Sequence, residues 1–405
     1  MPLHEAACAL QLTHPPAGFI DDPYPYYAIL REYDPLHALE GGGVLVTRYE
    51  DALAVYRDGR ASSDKTIEFK PKFGDSALYE HHTTSLVFSD PPLHTRVRGL
   101  LMGALNQRAI ARMEGDVVRL VDALLARMAE RREVDLIEEF AARIPVEVIG
   151  NLLDVPHAER GPLRAWSLAI LSALEPMPGA EILERGNRAV RDFVEYLERL
   201  IAGRRKYPGN PESDVLTRLI QGESDAERLT EKELHHNCIF LLNAGHETTT
   251  NLIGNGMWLL LTHPAEMARL RQAPALIASA VEEMLRYEGP IQLNNRRLTA
   301  PMQLGGKALA SGTFITIAIG AANRDPGQFP QPERFDVGRT PNRHIAFGQG
   351  AHACAGMNVA RMEARVAFAR LLARFAEIAL AGEPLRDRRI RFRGFRTLPV
   401  RVREN

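Results

Sequence analysis

The chain has 405 residues, with 50 Lys plus Arg against 51 Asp plus Glu, 45% hydrophobic and 25% charged. That balance gives no bulk electrostatic reason to expect nucleic acid, and the composition suits a globular protein with a sizeable core. Cys8, Cys238 and Cys354 are too few and too scattered for a disulfide framework, the first dozen residues lack the pattern of a signal peptide, and no apolar run approaches the roughly 18 residues of a membrane span, so a cytoplasmic protein without membrane association is expected.

Pro15, Pro16, Pro23 and Pro25 make the start turn-rich, ahead of a short helix over Tyr24–Tyr33. Gly41, Gly42 and Gly43 lack dinucleotide-loop spacing and predict a hairpin turn before a strand at Val44–Thr47 and a helix at Tyr49–Arg57. Arg60–Phe88 reads as a long irregular loop, of a kind usually functional or mobile. Lys70 and Lys72 at its centre would attract a carboxylate, although lysines in such a loop are ordinarily just solvated. Helical periodicity dominates from Leu93 to about Arg205, with breaks at Pro156 and at Pro176–Gly179, and Lys206–Ser213 follows as a connector.

Thr230 with Glu233 forms a capping box ahead of an apolar helix of about thirty residues, roughly 45 Å long, ending near His263. A helix over Leu276–Tyr287, short strands such as Thr313–Ile319 and a last helix near Met357–Phe375 complete the chain. The prediction is a mainly α fold with small β-sheets, a single large helical domain over residues 1–405.

The strongest signal is Phe347-Gly348-Gln349-Gly350-Ala351-His352-Ala353-Cys354-Ala355-Gly356. Its glycines permit a tight loop and close approach of backbone to a flat ligand. Cys354 then stands at the start of a helix, where free N–H groups and the dipole favour a thiolate. A second signal is Ala244-Gly245-His246-Glu247-Thr248-Thr249-Thr250, a polar cluster inside the long apolar helix. Such a cluster is costly unless partnered or functional, and it suggests a local widening of the helix where an acid and a hydroxyl can pass protons.

The first pattern, F-x-x-G-x-H-x-C-x-G, resembles the haem-binding loop of the cytochrome P450 family, and Ala244–Thr249 matches the family's A-G-x-[DE]-T-T. The resemblance runs from Pro23 to Val400 and implies a P450-like domain enclosing haem b. It makes Cys354 the iron ligand, with Phe347, Gly356 and Ala244 against the haem, Thr248 bonded to dioxygen and Glu247 supplying protons. His94 and Arg98, four apart on one helix face, together with Arg297 and His352, become the propionate partners. Glu283 and Arg286, followed by Arg334 in Pro332-Glu333-Arg334-Phe335, correspond to the family's structural triad.

Asn243 departs from the family, which usually has an apolar residue there; it either meets a polar substrate group or points into the protein. Asn294 and Asn295 make the segment before Arg297 unusually polar. Phe240, Asn243, Leu293 and Phe392 are the expected pocket walls. The implied function is a monooxygenase inserting one oxygen atom of O2 into a small organic substrate, by hydroxylation or O-dealkylation. Its electrons would come from a ferredoxin-type donor with an NAD(P)H-dependent reductase, docked near Arg108, Arg112, Arg343 and Arg361. The alternatives are a haem-thiolate peroxygenase, against which the Glu247–Thr248 pair argues, and a non-catalytic haem sensor or carrier.

Overall fold

The capping box at Thr230 starts the element around which the rest is packed. In the computed structural model, which describes residues 2–211, 214–222 and 228–404, the Thr230 hydroxyl accepts from the Glu233 N–H and the Glu233 carboxylate accepts from the Thr230 N–H. The helix then runs over Glu231–Thr262. Beyond its first turn it is largely apolar, and it is buried along most of its length. Leu234, Cys238, Ile239 and Leu242 enter a core shared with the helices Leu163–Ser172 and Ala180–Lys206. Leu252, Ile253, Met257 and Leu260 enter a second core with the helices Gln107–Arg131, Ile277–Tyr287 and Met357–Arg374. Residues 243–251 belong to neither core. The polar motif occupies the seam between them.

Against this helical body lies a five-stranded sheet in the order Leu36–Leu39, Gly43–Val46, Phe314–Ala318, Leu293–Leu298, Ala61–Ser62. The hairpin turn expected at the three glycines joins the first two strands, with Gly41 and Gly42 at positive φ. A three-stranded sheet pairs Glu133–Asp135 and Phe375–Leu380 with Pro399–Glu404. The Glu133 strand interrupts what periodicity presents as continuous helix. Its partner is some 260 residues away, so nothing local announces it.

Three expectations are corrected. Arg60–Phe88 is not an irregular loop: it holds the helices Thr66–Phe73 and Ala77–Thr84. The second is capped by Ser76, and buried Phe73 and Leu78 pin the pair to the core, a tertiary fixation that eight-residue periodicity cannot reveal. The helix Glu231–Thr262 is not widened at the polar motif; it is α-helical throughout, and the π turn occurs at Ile137–Ala141. Its threonines bond back to the preceding turn instead, Thr248 Oγ1 to the Ala244 carbonyl at 2.7 Å and Thr250 Oγ1 to that of His246 at 2.9 Å. The connector expected over Lys206–Ser213 is described only to Pro211; Glu212 and Ser213 lie outside the described residues.

The third correction concerns the triad. Arg286 donates Nε and Nη2 to the two Glu283 oxygens at 2.7 and 2.8 Å, both side chains being fully buried. The second guanidinium on Glu283 is that of Arg339, at 3.1 Å, while the Arg334 side chain is exposed and its carbonyl accepts from both Arg286 and Arg339. Asn342 and the Asp336 N–H complete the shell around the carboxylate. A buried carboxylate needs its lone pairs satisfied, and the turn after Phe335 brings in Arg339 to do so.

Candidate active site

The cysteine loop is closed by its own backbone. Cys354 N–H donates to the Phe347 carbonyl at 2.9 Å, with Gly348 and Gly350 at φ +66° and +72°. A Cβ on Gly350 would stand 2.4 Å from the Tyr56 carbonyl, so only glycine fits. Gly356 caps the helix Met357–Arg374. Burial pushes the Cys354 thiol up, while the Gly356 N–H and the charges of Arg98 and Arg361 oppose that rise. Arg361 lies 4.8 Å over the Phe347 ring and is held by Glu282 through two hydrogen bonds.

His94 and His352, 258 positions apart, stack with ring centroids 4.0 Å apart. Burial is the main cause of their lowered pKa values, His352 reaching about 3. The charges of Arg98 and Arg296 also bear on both rings. Arg297 does not share this cluster. Successive residues of the strand Leu293–Leu298 point to opposite faces, so buried Arg296 turns toward the histidines and Arg297 lies beside Gly312. The sequence reading was one residue out. Arg296 is steadied over the Tyr56 ring at 5.4 Å and by the Asn294 side-chain oxygen, which also explains one of the two asparagines.

Midway along an otherwise buried helix, Ala244 is exposed and Thr248 half-exposed, marking the open side of the seam. Gly245 lets Ile149 approach, since a Cβ there would meet it at 2.5 Å. Glu247 is buried and ion-paired with Arg389, which also pairs with Asp387 at 2.7 Å. Side-chain exposure falls along this series, 40% for Asp387, 11% for Arg389 and 3% for Glu247, so the charges descend from the surface inward. Thr249 bonds Glu363 of the helix Met357–Arg374, whose carboxyl burial pushes up to about 8, keeping it protonated at neutral pH.

Asn243 is buried, with its amide nitrogen 3.4 Å from His81 Nε2. It therefore faces the helix Ala77–Thr84, and its side-chain oxygen has no partner there. Arg389 and Glu363 escaped the sequence reading. The signal for Arg389 is present, six arginines in the eleven residues Arg386–Arg396, but composition does not say which of them meets Glu247.

The comparisons with known proteins agree with this geometry. The cytochrome P450 family model matches residues 165–399. Cytochrome P450 107B1 of Saccharopolyspora erythraea is 38% identical over 404 residues, covering 95% of this chain and 96% of that protein. The chain belongs to the cytochrome P450 family. It is thus a haem-binding oxidoreductase. The same organism's 6-deoxyerythronolide B hydroxylase is 37% identical, with 95% and 97% of the two chains covered. The crystal structure of P450BioI with an acyl carrier protein bearing hexadec-9Z-enoic acid superposes at TM-score 0.90, with 33% identity over 96% of this chain and 100% of that one.

The residues present fit haem b. The cysteine loop offers a sulfur, and Gly348 and Gly350 keep its backbone free of side chains. The group formed by His94, His352, Arg98 and Arg296 presents two permanent cations and a buried, unpartnered His94 Nε2 to a dianionic edge. Around the seam, Leu171, Leu174 and Phe392 cluster with Phe69, Phe88 and Ile291. Phe392 is buried in this cluster, and Leu293 lines an adjoining cavity although most of it is buried toward Tyr24 and Ala318. Phe240 is half-buried against the core on the Ala180–Lys206 side. No helix among the described residues is long and apolar enough to cross a membrane.

Proposed function

We propose that this P450 is a cytoplasmic haem-thiolate monooxygenase that hydroxylates or O-dealkylates a small organic substrate, with Cys354 as the iron ligand and electrons from a separate ferredoxin and its NAD(P)H-dependent reductase. Each hydroxylation breaks one C–H bond and the O–O bond, leaves one oxygen in the product and the other in water, and consumes two electrons and two protons. Bound haem supplies the dioxygen activation, helped by electron density from the thiolate. The observation that carries the reading is the Glu247–Thr248 pair, set in the seam of the same chain that closes the cysteine loop.

The protein's own contribution is proton handling and positioning. Asp387, Arg389 and Glu247 form a descending charged path by which the Glu247 carboxylate takes a proton from the solvent side. Thr248 Oγ1, now donating to Ala244, passes that proton into the seam when it turns from the carbonyl. Arg98, Arg296, His94 and His352 hold the propionates. Glu283, Arg286 and Arg339 keep the cysteine loop in place from behind. Arg108, Arg112 and Arg343 are exposed and suit an acidic electron donor, whereas Arg361 is engaged with Glu282.

The test is the Soret difference spectrum of the dithionite-reduced protein under carbon monoxide. The strong red shift of thiolate ligation is expected, absent in Cys354→Ala. With a surrogate ferredoxin and reductase, NAD(P)H consumption is expected to couple to product. An unshifted band sinks the thiolate assignment, and product formed only with peroxide supports the peroxygenase reading instead.

A further inference from the structure

Lys65 lies at the start of the helix Thr66–Phe73, and its side chain is 3% exposed. Its Nζ has no hydrogen-bond partner: the nearest carboxylate, that of Glu68, is 3.6 Å away, and the Phe314 ring lies at 5.4 Å. A buried ammonium whose one ion-pair partner, Glu68, stands beyond ordinary hydrogen-bond distance is incompletely satisfied, which is costly. Arg296 and Arg391 stand close enough to add to the effect of burial, which pushes Lys65 down to about 8 although Glu68 opposes it. All three cations, with Lys72, line one cavity of ≈ 350 Å³ that also touches Phe69, Phe88 and Leu174 of the apolar wall.

The other donors here are already used. Arg391 donates to the carbonyls of Leu174 and Leu293 and to the side chain of Asn295, and Lys72 Nζ donates to the Glu175 carbonyl at 2.6 Å. Glu175 accepts from the backbone N–H groups of Ile390 and Arg391. Asp90, which faces Arg296, is taken up by Ser62 and the Ser63 N–H. With Arg98 and Arg296 set against two propionates, the cavity holds Lys65, Lys72 and Arg391 with the carboxylates of Glu40 and Glu68, and Glu175 lies beside Lys72 and Arg391. Of these three donors Lys65 Nζ alone has no acceptor within hydrogen-bond distance, and it lies beside an apolar surface.

We infer that the substrate carries a carboxylate, which accepts a hydrogen bond from Lys65 Nζ under the field of Arg391 while its apolar body lies along Phe69, Phe88, Leu174 and Phe392. The inference rests on the monooxygenase reading above and narrows it from any small organic molecule to an amphipathic monocarboxylic acid. Lys65 is a specificity residue in this scheme and takes no part in the oxidation.

The test titrates the holoprotein with straight-chain acids from hexanoic to hexadecanoic, with 4-phenylbutyric acid, and with the matching alcohols and methyl esters, following the spin-state shift of the Soret band. At least one acid is expected to bind ten-fold or more tightly than its alcohol and ester. Lys65→Met is expected to reduce that ratio to about one at unchanged haem content, and Lys65→Arg to keep most of it. Equal binding of acids and neutral analogues, no binding by any acid, or a preference that survives in Lys65→Met overturns the inference. Haem loss in Lys65→Met with the acid preference intact in the remaining holoprotein also overturns it, assigning Lys65 to a propionate. A missing red-shifted carbon monoxide band in the wild type, by contrast, sinks the monooxygenase reading itself.

Discussion

The Glu247 carboxylate is ion-paired with Arg389, a residue 142 positions later in the chain and itself paired with Asp387 nearer the surface. An acid in the middle of a buried helix thus meets a cation from the C-terminal arginine-rich segment.

Removing that cation leaves Glu247 buried beside fewer positive charges, which favours its neutral form. Arg389→Gln is therefore expected to move the acidic limb of the kcat–pH profile upward by about a unit or more. Glu247→Gln should lower kcat by roughly two orders of magnitude, the lower range for loss of a general acid–base group, and raise the solvent isotope effect. An Arg389→Gln profile superimposable on the wild type would remove Arg389 from proton delivery.

Alternation along the strand Leu293–Leu298 separates Arg296 from Arg297. Arg296→Leu is expected to speed haem transfer to apomyoglobin several-fold, because one of two permanent cations facing the propionates is lost, while Arg297→Leu leaves the rate within error. Equal effects from both variants would contradict the placement.

In the Glu283 shell the third charge comes from Arg339. Glu283→Ala leaves Arg286 fully buried and unpaired, which costs about 3–5 kcal/mol. Arg339→Ala is expected to destabilise measurably, whereas Arg334→Ala falls within about 0.5 kcal/mol, as for an exposed side chain. Urea unfolding of the three variants checks the order.

Stability should fall on acidification. Burial pushes His82 and His246 down to about 3 and His236 to about 4, from an ordinary value of 6.5. Below pH 6.5 the unfolded chain therefore binds protons that the folded chain refuses, and the stability present above that pH is lost progressively toward pH 3. His246→Leu removes one such proton, so its unfolding free energy should depend less steeply on pH in that window, by up to about 1.4 kcal/mol per unit. Parallel curves for variant and wild type would show that His246 does not titrate with unfolding.

What the sequence determined by itself was everything set by short-range pattern. The capping box placed the start of the long helix, the spacing around Cys354 specified the loop, and the run Ala244–Thr249 located the polar seam. Each depends on residues within about ten positions of one another, so the chain carries the whole signal locally. Tertiary structure decided which side chain meets which. It chose Arg296 over Arg297 through the sheet's alternation and Arg339 over Arg334 through the course of one turn. It brought Arg389 to Glu247, fixed the helices between Arg60 and Phe88 by packing, and left Lys65 buried without an acceptor within hydrogen-bond distance. Charge pairs and burial depend on distances in space between segments tens to hundreds of residues apart, which periodicity and local motifs do not encode.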